Sequence, residues 1–97
     1  MSDSQTIWMI LWSRALRSPD PETPFEIAEV VPDVVEALHV PESEAAPLVG
    51  MLLGELERLP VGHQYFQQEG NAVVPLPEFA AVHRGPDSEL NAYPYEL

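Results

Sequence analysis

Residues 34–59, VVEALHVPESEAAPLVGMLLGELERL, constrain the fold of this chain more than any other stretch. Apolar residues recur at helical spacing on both sides of Val40-Pro41-Glu42-Ser43, which therefore reads as a turn between two helices. The helix after the turn is expected from about Glu44 to Leu59, with Pro47 in its first turn, where a missing N–H costs little. Its inward stripe is expected to be Ala45, Leu48, Leu52, Leu56 and Leu59, with Val49, Met51 and Leu53 beside it, and Pro60 and Gly62 end it.

Upstream, residues 2–18 predict a first helix. Ser2 and Gln5 have capping-box spacing, and Trp8, Leu11, Trp12 and Ala15 follow the i, i+3, i+4, i+7 pattern. Ile7, Ile10 and Leu16 widen that face into an apolar girdle, which suits deep packing or a partner, including a homodimer through this helix. A strand over Thr6–Trp12 is the competing assignment, because its aromatic and β-branched residues also suit a sheet. SPDPETP, with Pro19, Pro21 and Pro24, is a loop. Thr23 then has the character of an N-cap, with Pro24 at the first helical position and Glu26 at the third. Ile27, Val31, Val34 and Leu38 share one stripe that Pro32 interrupts, and two helices with Pro32 opening the second are preferred over one kinked helix.

Downstream, HQYFQQEGNAVVPL predicts a β-hairpin turning at Glu69-Gly70-Asn71, with Pro75 and Pro77 preventing the second strand from pairing on both sides. Tyr65 and Phe66 should point to opposite faces, one inward and one onto the surface. Residues 84–97 lack periodicity and read as a flexible acidic tail in which Tyr93, Tyr95 and Leu97 could dock. The rest, residues 1–83, is one domain. A chain of 97 residues buries roughly 60–70% of the surface its unfolded form exposes, enough for a single core.

Helix, helix, turn, helix, hairpin over residues 24–76 resembles the winged-helix members of the helix-turn-helix superfamily. Val34, Leu38, Val40, Ala45 and Leu48 occupy the spacing at which such units bury apolar side chains, and His39 stands where the family often has Gly. The resemblance implies an α+β, mainly helical, winged-helix-like domain with one C-terminal β-hairpin. It also implies that the helix after the turn would face a DNA major groove with its N-terminal side chains, here Glu42, Ser43, Glu44, Pro47 and Gly50.

The charges oppose that use. Sixteen Asp and Glu face four Arg and no Lys, a formal net charge of −12 that repels phosphate backbones and anionic lipid. The wing carries neither Arg nor Lys, and the helix after the turn has no basic residue before Arg58. The function expected is therefore a protein–protein interaction or regulatory module that does not read DNA directly, docking a partner with a basic surface. The alternatives are a DNA-mimic inhibitor and a DNA-binding regulator whose Arg14, Arg17, Arg58 and Arg84 gather on one side. The expected partner-binding residues are Glu42, Glu44, Pro47, Gly50, Gly54, Glu57 and Tyr65, with Glu55 extending the acidic face. Pro47, Gly50 and Gly54 fall at i, i+3, i+7 and leave a shallow groove, open to a partner or filled by the chain itself.

Other chemistry finds no pattern. His39, His63 and His83 lack ligand spacing, so no metal and no cofactor are expected. No nucleophile motif, phosphate loop or dinucleotide fingerprint occurs, and Glu55 and Glu57 point to different sides of a helix, so no enzyme is expected. Absence of cysteine excludes disulfides and thiolate chemistry. The apolar run Ile7–Trp12 is far short of the ~20 residues of a membrane span, and Asp3 does not suit a basic leader, so a soluble cytoplasmic protein is expected.

Overall fold

The first helix forms where its apolar spacing places it. In a computed structural model of the chain, which describes residues 3–18, 20, 23–59, 64–77 and 79, α1 spans Asp3–Leu16, so the strand alternative does not occur. Ile7, Trp8, Leu11, Trp12 and Ala15 are its buried face. Asp3 in the first turn and Arg14 in the last each have the sign that suits that end of the helix dipole. Ser2 of the expected capping box lies outside the described residues.

The next segment departs from expectation. Thr23 does not begin a helix: Phe25–Glu26 form a short strand, β1, followed by a single 3-10 turn at Ile27–Glu29 and then α2 at Val31–Leu38. A capping box is present but displaced by three residues. Glu26 accepts the Glu29 backbone N–H, and the Glu29 carboxylate accepts the Glu26 N–H at 2.8 Å. Sheet pairing is the physical reason. Phe25 pairs with Val73 and Glu26 with Ala72, and the Phe25 ring is buried, a tertiary gain that local capping signals do not register. Of the two helices expected around Pro32 only the second forms: α2 starts one residue before that proline, and a single 3-10 turn stands where the first was expected.

α2 stops at His39, which takes the left-handed conformation (φ 56°, ψ 42°) and donates its N–H to the Val35 carbonyl. Helix α3 then spans Glu42–Leu56, starting two residues before and ending three residues before the expected bounds. Pro60 and Gly62 lie outside the described residues, and the helix ends ahead of them. Pro47 is consequently inside α3 rather than in its first turn. The buried stripe is Ala45, Val49, Leu52, Leu53 and Leu56, while Leu48 is half-buried and Met51 is 64% exposed. This rotation follows from what α3 packs against: α1, α2 and also the hairpin, so its inward face turns toward Val49 and Leu53.

The hairpin consists of β2, Phe66–Glu69, and β3, Ala72–Pro75, with Glu69 still in the strand and Gly70-Asn71 as a two-residue loop. Gly70 has φ 61°, a conformation glycine adopts without the Cβ clash that penalises other residues. The sheet is antiparallel with order β1-β3-β2, so β3 is central and pairs on both sides, contrary to the expectation drawn from Pro75. The proline is accommodated because β1 meets β3 only at Ala72 and Val73. Pro75 faces Phe66 alone, so its missing N–H interrupts no ladder.

Tyr65 and Phe66 do not alternate across the hairpin. Tyr65 sits one residue before β2 at φ 59°, outside extended geometry, and both side chains turn inward. They complete an aromatic cluster with Trp8, Trp12 and Phe79, all of them buried. Trp12 and Phe79 meet edge-to-face at 4.6 Å between centroids, and Trp8 and Phe66 at 5.4 Å. Each such pair adds about 0.5–1.5 kcal/mol to the burial of its area. Trp12 Nε1 is buried with no hydrogen-bond partner among the described residues, at a cost of ~1–3 kcal/mol that this packing has to exceed. The chain is thus α+β, with three α-helices and a three-stranded antiparallel sheet among the described residues, the hairpin following the helices. The tail, including Tyr93, Tyr95 and Leu97, lies outside the described residues.

Candidate functional site

The front of α3 is set by the turn before it. Left-handed His39 reverses the chain, half-buried Val40 packs against the core, and extended Pro41 (φ −62°, ψ 151°) starts the helix without a side-chain cap. Glu42, Ser43 and Glu44 then occupy the first turn, all exposed. The uncapped N–H groups there carry the positive end of the helix dipole, and a carboxylate beside them contributes about 0.3–1 kcal/mol. That gives Glu42 and Glu44 a stabilising role that spacing alone does not bring out.

Not all of the expected acidic face comes together. Glu55 and Glu57 are exposed at the other end of α3, and at 1.5 Å per residue Glu55 lies roughly 20 Å along the axis from Glu42. Between them, exposed Met51 interrupts the charge. Tyr65, expected among the partner-binding residues, is only 9% exposed and belongs to the core.

The Pro47–Gly54 groove divides in two. A Cβ on Gly50 would come within 3.7 Å of Gln68 Oε1, so the hairpin lies over the groove there. A Cβ on Gly54 would meet nothing within 4 Å, so that end is open. Next to Pro47 a cleft of about 430 Å³ opens between three parts of the fold. Ile27, Ala28 and Val31 line one wall, Ala46 and Pro47 the other, and Glu26, Gln68 and Asn71 contribute polar groups. No cation lines it. The sequence reading missed this cleft because it extended a helix through Phe25 and Glu26. Without β1 and the 3-10 turn the cleft has only one wall.

Among the described residues, Arg14 and Arg17 each lie beside a carboxylate. Arg14 donates to Glu29 Oε1 at 2.7 Å and to Ser18 Oγ at 3.0 Å, and its guanidinium stacks 5.1 Å from the Phe25 ring centroid. It thereby ties α1 to β1 and the 3-10 turn. The Arg14 hydrogen bond, reinforced by the Glu26 N–H, holds the Glu29 carboxyl below the usual glutamate range. Arg17 approaches Asp33 at 3.8 Å. Arg58 is exposed beyond the end of α3, and Arg84 lies outside the described residues.

The first helix spends most of its apolar girdle on the chain's own core. Half-buried Met9 and Ile10 remain at a shallow depression of about 310 Å³ shared with Ser13, Arg17 and Asp33, and Leu16 is 44% exposed. His39 is exposed, while His63 and His83 lie outside the described residues. Among the described residues no three His, Asp or Glu side chains gather where they could hold a metal ion, and no helix is long and apolar enough to cross a membrane. Comparison with known protein families, curated proteins and solved structures finds no match to this chain.

Proposed function

We propose that this chain is a small, acidic, non-catalytic protein–protein interaction or regulatory module on a winged-helix-type scaffold, and that it does not read DNA directly. The scaffold reading is supported by the succession α1, β1, α2, α3, β2, β3 and by a hairpin packed beside the helix that follows the tight turn. One observation carries the functional reading. The exposed front of α3 offers Glu42 and Glu44, while Arg14 is held by Glu29 at 2.7 Å and exposed Arg17 stands 3.8 Å from Asp33. A carboxylate about 4 Å from a phosphate costs about 1 kcal/mol even in bulk water, and more in a partly desolvated groove. The same carboxylates attract a cationic protein surface and speed its encounter. A DNA mimic would need continuous acid, and the roughly 20 Å between Glu42 and Glu55 along α3 favours the interaction-module reading over it.

Chromatography on immobilised heparin at low salt tests the exclusion of polyanions: the protein should flow through, and retention would refute the reading. Affinity capture of cellular proteins by wild-type chain and by a Glu42→Arg/Glu44→Arg variant tests the docking face. A specific partner should be lost both in the variant and at ~1 M salt, where the screening length falls to about 3 Å. A partner that survives both would place the contact elsewhere.

A further inference from the structure

We infer that the cleft between the 3-10 turn, α3 and the hairpin is the docking pocket, and that its occupant is a protein segment with one apolar side chain flanked by Arg or Lys. The inference rests on the interaction-module reading above and adds to it a site and the chemistry of the ligand.

The shape argues for the apolar anchor. A volume of about 430 Å³ falls within the roughly 300–1,000 Å³ of ligand pockets. Its two walls are aliphatic, Ile27, Ala28 and Val31 facing Ala46 and Pro47, and they come from elements distant in sequence. Ala28, Ala46 and Pro47 are exposed, so apolar surface remains in water that an apolar side chain would cover.

The charge argues for the flanks. Glu26 lines the cleft. Glu42 lies one helical turn before Ala46, on the same side of α3, and is exposed. With no cation among the described lining residues, cationic residues beside the anchor find Glu26 and Glu42, and an anionic segment is repelled.

The test uses the full chain labelled with ¹⁵N and three synthetic pentapeptides, acetylated and amidated: Arg-Arg-Leu-Arg-Arg, Arg-Arg-Gly-Arg-Arg and Glu-Glu-Leu-Glu-Glu. The leucine peptide should shift the backbone amides of Ala28, Val31, Ala46, Gln68 and Asn71 saturably. The glycine peptide should bind at least about tenfold more weakly, the lower end of the range expected for burying a leucine side chain, and the acidic peptide should leave the spectrum unchanged. Ala46→Trp, which fills the cleft from an exposed position, should weaken the leucine peptide by a similar factor while amide signals far from the cleft stay in place. Equal affinity for the leucine and glycine peptides, shifts scattered over the carboxylate-bearing surface, binding of the acidic peptide, or no shift at all would each overturn the proposal. Such a failure is distinct from failure of the broader reading, which is decided by retention on heparin.

Discussion

His39 provides a sharp test of how the turn before α3 is built. It is exposed, and its backbone stands at φ 56°, ψ 42°, where an L-residue pays about 1–2 kcal/mol and glycine pays nothing comparable. His39→Gly removes that strain. It also gives the unfolded chain more freedom, which returns roughly 0.5–1 kcal/mol. The net expectation is a gain of about 0.5–1 kcal/mol, which for a chain of this length raises the melting temperature by roughly 2–8 °C. His39→Val works the other way, because a β-branched side chain is least tolerant of a left-handed backbone, and should cost about 1 kcal/mol or more. Thermal unfolding followed by intrinsic fluorescence is the assay, since Trp8 and Trp12 are both fully buried and report loss of the core. A glycine variant no more stable than wild type, together with a valine variant that loses nothing, would refute the assignment of strain to this residue.

Three further outcomes follow from the packing and the ion pairs. Gly54→Ala should stabilise the fold by about 1 kcal/mol in urea denaturation, since a helical glycine is replaced where its new Cβ meets nothing within 4 Å; a loss of stability would mean that the space beside α3 is filled. Phe79→Ala should cost about 3–5 kcal/mol, because this residue beyond the hairpin is fully buried against Trp12 and Phe66; a loss below ~1 kcal/mol in the same assay would detach it from the core. Glu29→Gln should lower stability at pH 6, where the carboxylate is ionised and bonded to Arg14. Because the folded carboxyl is held below its ordinary value, wild type should lose this advantage as pH falls from about 4.5 through that lowered value, and a gap between the two proteins unchanged at pH 3 would refute the pair's role.

Much of the helical framework is legible in the sequence because its signals are local and agree with the packing. The stripe Trp8, Leu11, Trp12, Ala15 is the buried face of α1, and the turn read at residues 40–43 falls within two residues of the observed start of α3 at Glu42. What was not legible depends on partners far away in the chain. Thr23-Pro24 has the local chemistry of a helix start, yet Phe25 gains more by pairing with Val73 and burying its ring. Pro75 suggests a strand paired on one side only, and only the short reach of β1 explains why β3 can still be central. Alternation fails at Tyr65 because a left-handed residue at a strand entrance turns two consecutive side chains the same way. The cleft was invisible for the same reason as β1, since its second wall exists only once residues 25–29 leave the helical path.

The carboxylates at the front of α3 connect fold and ligand choice more tightly than a count of charges suggests. A helix that enters a polyanion's groove needs cations near its first turn, but cations there oppose the helix dipole until the polyanion arrives. This chain resolves the conflict in the opposite direction. Glu42 and Glu44 stabilise the uncapped start of α3 in the free protein, and they do so without a bound partner. Replacing both with Lys would exchange two favourable dipole terms for two unfavourable ones, a swing of roughly 1–4 kcal/mol, before any DNA is met. A path from this surface to a DNA reader therefore passes through a less stable fold. The path to a cationic protein partner, as proposed above, does not, because the charges that would attract such a partner are those that already favour the helix end.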